Sequence, residues 1–307
     1  MGTQAAGLPA GAVVVGVDGS TAARRAVDWA TSYVLAHRRD DAAPRPVLIA
    51  YATGRPEGGS ALPTASPVAV RMLVDNRSHG LVALDRATAR VRQLVAAAGL
   101  PPREVAVHTC IHELDPRVAL LELAERAHLV VVGDRGNSRV DRLPVGSVSS
   151  AVAALAPCPV VVVPAEHHTV RRPSVVVGVD AGHGADRLEQ AEPVLEFAYR
   201  EAAARGLPLV LLAALPTAGH VVEAREGLLL TRRALGEKFP DVDASLELAV
   251  GTPATALLRA AAEAVLVVVG RGAPRHAPGH PGTGALAAVV AEQSPVPVAV
   301  VPVSPAR

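Results

Sequence analysis

At 307 residues the chain suits two domains of ordinary size, each large enough to bury its own core. Half of its residues are apolar but only 2% are aromatic, so those cores must be Val, Leu and Ala packed between strands and helices. Thirty basic residues against 29 acidic ones give a net charge of +1 with no long single-sign block, which argues against a nucleic-acid partner.

In chain order, the first half reads as a strand over 12–18, a helix over 21–38, a strand over 46–52 and a Pro/Gly/Ser-rich loop over 54–78. A helix follows over 79–98, then a strand over 103–111, a helix over 116–127, a strand over 128–133, a helix over 147–156 and a strand over 159–163. The Val-rich strands show no polar alternation, as expected of a sheet covered on both faces. The helices carry apolar residues three and four apart, as in Val118, Leu121 and Ala124. Strands and helices alternating at these lengths imply an α/β, doubly wound parallel sheet with right-handed crossovers. Ligands of such sheets bind beyond the carboxyl ends of the strands, at the point where the strand order reverses. Asp18 and Gly133 each end a strand on that side.

The second half repeats the first. VVVGVD ends at Asp18 and again at Asp180, and Trp29-Ala30 in the helix after the first copy lines up with Phe197-Ala198 after the second. DPRVALLELAERAHLVVVG (115–133) matches TPATALLRAAAEAVLVVVG (252–270), and APCPVVVVP (156–164) matches SPVPVAVVP (294–302). A repeat of this period is a domain duplication, with domains over 1–165 and 172–307 and the polar EHHTVRRPS (166–174) as the seam. Cys110 and Cys158 have neither CxxC nor metal spacing and read as small apolar groups in or beside strands. The N-terminus lacks a basic leader, and no apolar run nears the roughly 18 residues of a membrane span. The expectation is a cytoplasmic protein with no membrane partner.

The chemistry concentrates in GDRGNSRVDRLPVGS (133–147), which joins a strand to a helix. Gly133 and Gly136 open the loop, and Gly146-Ser147 puts two small residues at a helix start, where backbone N–H groups approach a phosphate closely and the helix dipole favours negative charge. Physically this is a phosphate cradle. VVVGVDGS with the following AVDWA, DPRVALLELAERAHLVVVGDRG, and LPVGSVSSAVAALAPCPVVVVP together resemble the universal stress protein family, over nearly the whole chain as a tandem pair. The resemblance implies two tandem Rossmann-like domains, each a five-stranded parallel sheet with helices on both faces and ATP beside the first and fourth strands. It implies a role in stress survival, and dimers or tandem pseudo-dimers. Asp18 would then contact the adenine and ribose region, and backbone near Tyr51 the adenine edge. Gly133 and Gly136 would let the loop pass close to ribose and phosphates, and Gly146, Ser147 and Ser149 would hold the phosphates. The implied cofactor is ATP, with magnesium a candidate companion.

Bland readings stand beside these. Asp18-Gly19-Ser20 is also a good turn and helix cap, and Ser147 and Ser149 could cap the last helix of the first half without a ligand. Arg135, Arg139 and Arg142 could balance phosphate charge or simply be solvated. Replacing Gly146 with Val is expected to abolish binding and leave the fold intact.

The second half departs from the pattern. Ala285 stands where Ser147 does and Ala287 where Ser149 does, and GRGAPRHAPGHPGTG (270–284) is one residue longer between its end glycines. His276 and His280, with His183, could be proposed as metal ligands, but a Pro/Gly loop does not put them on one helix face. An ATPase or nucleotide-dependent transferase of the same broad fold is the alternative function. The first strand, however, ends in VGVDGSTAAR, without GKS, GKT or SGG, and Lys238, the one lysine, lies outside any motif. The expectation is therefore a non-enzymatic, nucleotide-responsive regulator with one ATP held in residues 1–165. The final strands, Pro159–Val163 and Pro297–Val301, would be sheet edges, and the resemblance implies that they pair antiparallel within the chain. A homodimer stays open alongside, and no motif names a downstream protein partner.

Overall fold

The computed structural model describes residues 9–39, 44–54, 67–136, 146–166, 170, 173–180, 190–215, 217, 221–272 and 283–303, with side chains outside 67–74 and 283–284. The chain divides into two compact units, Met1–Ala165 and Glu166–Arg307.

The first unit runs β1 (Val13–Gly16), α1 (Thr21–Ala36), β2 (Val47–Ala52), α2 (Pro67–Ala97), β3 (Val107–His112), α3 (Pro116–Ala124), β4 (Leu129–Gly133), α4 (Ser147–Leu155) and β5 (Val160–Val163). All its strand pairs are parallel, in the order β3-β2-β1-β4-β5. The chain moves outward from β1 to β3 and then returns to the other side of β1 as β4. The neighbours β1 and β4 therefore form the switch point, and the crevice above their carboxyl ends is where such a sheet binds ligands. Val13, Val14 and Val15 of β1 and Leu129, Val130 and Val131 of β4 are fully buried, which explains their unbroken apolar runs.

Local chemistry sets the helix starts. Ser20 caps α1, its Oγ accepting the Ala23 N–H at 3.1 Å, and Asp115 caps α3 ahead of Pro116. Helix α1 packs on β1, β4 and β5 beside α2, which covers β2 and β3, while α3 and α4 pack together. Helix α2 begins at Pro67, inside the segment expected to be a loop. Proline at a first helical position leaves no N–H unsatisfied, and VAVRMLVDNRSH (68–79) contains no breaker, so the helix extends back to it. Residues 55–66 of that loop lie outside the described residues.

The second unit repeats the design with β6 (Val175–Gly178), α5 (Glu192–Arg205), β7 (Leu209–Leu215), α6 (Val221–Lys238), β8 (Ala244–Val250), α7 (Pro253–Ala261), β9 (Leu266–Arg271), α8 (Thr283–Gln293) and β10 (Val298–Pro302). Its strands are parallel in the order β8-β7-β6-β9-β10. Even the close packing recurs: a Cβ on Gly16 would stand 3.1 Å from Leu120, and one on Gly178 would stand 3.1 Å from Leu257. Cys158 is buried and Cys110 half-buried on β3, where burial pushes its thiol up to about 11. Among the described residues, no helix is long and apolar enough to cross a membrane.

Candidate functional site

Asp18 follows β1 into the crevice. Its Oδ1 accepts the Ser20 N–H at 2.9 Å, so the aspartate does form the turn that launches α1. Its Oδ2 points elsewhere: a Cβ built on Gly136 would stand 2.7 Å from it. The carboxylate thus joins the start of α1 to the loop leaving β4, and any side chain larger than hydrogen at 136 would collide with it. The structure brings Asp18 and Gly136 together.

Gly133 has a different reason to be glycine. A Cβ there would stand 2.6 Å from the Ala22 Cβ and 2.8 Å from the Ala22 carbonyl carbon. The end of β4 therefore packs directly onto the first turn of α1, and the fold requires glycine at 133 with or without a ligand.

The next residue, Asp134, ties the loop together. Its N–H donates to the Val163 carbonyl at 2.9 Å, and its own carbonyl accepts the Gly146 N–H at 3.1 Å. Its Oδ1 accepts the Ala165 N–H at 3.1 Å. Burial pushes the Asp134 carboxyl above its ordinary value, against the pull of the Arg135 backbone N–H, the Arg135 charge and the Ala165 N–H. A Cβ on Gly146 would stand 2.8 Å from the Asp134 carbonyl oxygen and 3.2 Å from the Ser149 Oγ. Valine at 146 would therefore disturb the loop itself, which revises the expectation that this exchange leaves the fold intact.

Ser149 is buried, and its hydroxyl lies 3.1 Å from the Asp134 carbonyl and 3.0 Å from that of Gly146, donating its one hydrogen between them. Ser147 is exposed in the first turn of α4. The N-cap is Gly146, with no side-chain hydrogen bond to that turn. With glycine as its N-cap, the nine-residue helix receives no cap from that residue's side chain, an arrangement that suits a bound anion. Arg135 is exposed beside it, whereas Arg139 and Arg142 lie outside the described residues.

Tyr51 ends β2 on the other side of β1. Burial, and then the Asp18 charge, hold its phenol above the ordinary value, so it stays protonated. Its ring lies on α2 at Gly80, where a Cβ would stand 2.6 Å from Cδ1. Nearby, Asn76 Nδ2 donates to the Thr53 carbonyl at 3.3 Å, and Arg77 lies 3.6 Å from Glu113. These contacts hold α2 to the ends of β2 and β3.

A model of the universal stress protein family matches residues 10–164, the stretch that contains this whole arrangement. The chain belongs to the universal stress protein family. A universal stress protein of Mycobacterium tuberculosis is 31% identical over 304 residues, covering 94% of this chain and 95% of that one. The crystal structure of a universal stress protein from Archaeoglobus fulgidus covers 95% of this chain and 96% of its own at a TM-score of 0.67, with 16% identity. A universal stress protein solved in complex with cAMP is 26% identical, covering 52% of this chain and 100% of its own, at a TM-score of 0.33.

The second unit builds the corresponding corner from other residues. Asp180 is exposed, and a Cβ on Gly270 would meet the side chains of Val303 at 3.0 Å and Val194 at 3.2 Å. Ala287 is as deeply buried as Ser149 but brings no hydroxyl, and Ala285 stands exposed where Ser147 does. His183, His276 and His280 lie outside the described residues, among which no group of three or more His, Cys, Asp or Glu could hold a metal ion.

Two residues that sequence reasoning passed over help to shape the first unit's corner. Asp134 gave no signal, because its role depends on the Ala165 N–H, 31 residues downstream. Gly80 did give one: an isolated glycine within a helical pattern usually has a packing or functional reason.

Proposed function

We infer that the first unit binds ATP, one molecule per chain, and that the protein is a nucleotide-responsive regulator rather than an enzyme of rapid turnover. In this reading Asp18 and backbone near Tyr51 hold the adenosine end. Gly136, Gly146, Ser147 and the first turn of α4 hold the phosphates, with Gly133 and Ser149 shaping the loop beneath them. The observation that carries the reading is the convergence of Asp18, Gly136 and the glycine-capped start of α4 on the switch point between β1 and β4. Polyphosphate matches a helix start whose N-cap is glycine, because a residue without a side chain lets backbone approach it closely. Support also comes from the contrast with the second unit, where Ala285 and Ala287 remove both hydroxyls.

The experiment is thermal unfolding of the full chain with and without ATP, followed by amide exchange to tell the units apart. A ligand at 100 times its dissociation constant stabilises the native state by about 2.7 kcal/mol. The expected result is a rise in the first unit's transition, with protection at residues 129–150 and no change in the second unit. An ATP series that moves neither transition overturns the reading.

A further inference from the structure

We propose that Gly80 is a specificity-determining residue of the nucleotide site: its bare backbone seats the Tyr51 ring, and the seated ring walls the slot that takes the nucleobase. The proposal rests on the reading that the first unit binds nucleotide, and it concerns the base end of that site rather than the phosphates.

Glycine in a helix interior costs about 1 kcal/mol against alanine, and Gly80 sits buried well inside the 31-residue α2. What it gains is contact. A Cβ there would stand 2.6 Å from Tyr51 Cδ1, 2.8 Å from Cε1 and 3.2 Å from Cγ, so one edge of the ring rests on the helix backbone. Carbon atoms pack at about 3.5–4.0 Å, and a methyl group at 80 would displace the ring by about 1 Å. On the exposed side of α2, Asn76 donates to the Thr53 carbonyl and Arg77 faces Glu113 at the adjoining strand ends, so the helix meets the strand ends where the ring sits. A ring displaced by the methyl moves off α2 at the end of β2, beside β1.

In the proposed reading the ends of β1 and β2 hold the adenosine. The Val17 N–H donates to the Ala50 carbonyl at 2.9 Å, which puts Tyr51 level with the residue before Asp18 on the adjoining strand. The Asp18 carboxylate is near enough to raise the Tyr51 phenol. The second unit lacks this wall: the Val179 N–H donates to the Leu212 carbonyl in the same ladder position, so Tyr51 corresponds to the fully buried Ala213.

The test is calorimetric titration of the full chain and its Gly80→Ala, Tyr51→Ala and double variants with ATP and, separately, with inorganic tripolyphosphate. Gly80→Ala is expected to weaken ATP by about tenfold or more, as overpacking of a fitted contact does, and to leave tripolyphosphate unchanged. In the Tyr51→Ala background the added methyl is expected to change ATP affinity by less than about twofold, within the usual error of additivity. Unchanged ATP binding by Gly80→Ala overturns the proposal while leaving the nucleotide site intact. An equal loss for tripolyphosphate, or one that persists in the double variant, overturns it too, because the methyl would then act through the helix. A parent chain that binds neither ligand overturns the nucleotide reading itself, and the specificity role with it.

Discussion

Two residues apart on α4, Ser147 faces solvent while Ser149 is 3% exposed and gives its hydrogen to the carbonyls of Asp134 and Gly146. Alanine at 149 should destabilise the first unit by about 1 kcal/mol, the usual worth of one such bond. Alanine at 147 should leave the melting temperature unchanged and weaken ATP. Paired melts and titrations check both, and a Ser147→Ala variant that melts early with full affinity would reverse the assignment. Asp134 supplies a pH test. Its carboxyl is raised by burial, so its contribution to stability is fully present below the ordinary carboxylate value of 3.8 and is lost as the pH rises through the raised one. Asp134→Asn should therefore gain stability relative to the parent across that rise, measured by unfolding between about pH 3 and pH 7. A difference that is flat or falls with pH would contradict the burial assigned here. The glycine spacing was legible in the sequence because three small residues at a strand–helix junction form a pattern in one dimension. The reason for Gly133 was not, since it depends on Ala22, a residue more than a hundred positions away.

At the scale of elements, the Val-rich strands and the repeated VVVGVD announced two parallel sheets, and both are present. Valine runs buried on both faces have few alternative structures, which makes them readable. Helix α2 was read short because the Pro/Gly/Ser-rich composition around residues 54–66 masked a breaker-free run behind Pro67. The duplicated helices also diverged where packing allows several solutions. In α1, Tyr33 stacks on His37 with ring centroids 4.2 Å apart, whereas at the matching positions of α5, Glu201 and Arg205 form an ion pair at 2.9 Å. Both solutions place partners four residues apart on one helix face. Repeat alignment finds the positions but not which chemistry fills them. The same divergence separates α4 from α8, where the first carries Ser147 and Ser149 and the second Ala285 and Ala287.

For the whole molecule, the proposed function makes an asymmetric pair: two units of one strand order, of which the first is proposed to hold the nucleotide. The second unit keeps the buried valine strands and carries Ala285 and Ala287 where the first has Ser147 and Ser149. The most direct measurement is the stoichiometry of ATP binding to the full chain by isothermal titration. A single site per chain is expected. Two equivalent sites, or no ATP binding at all, would contradict it.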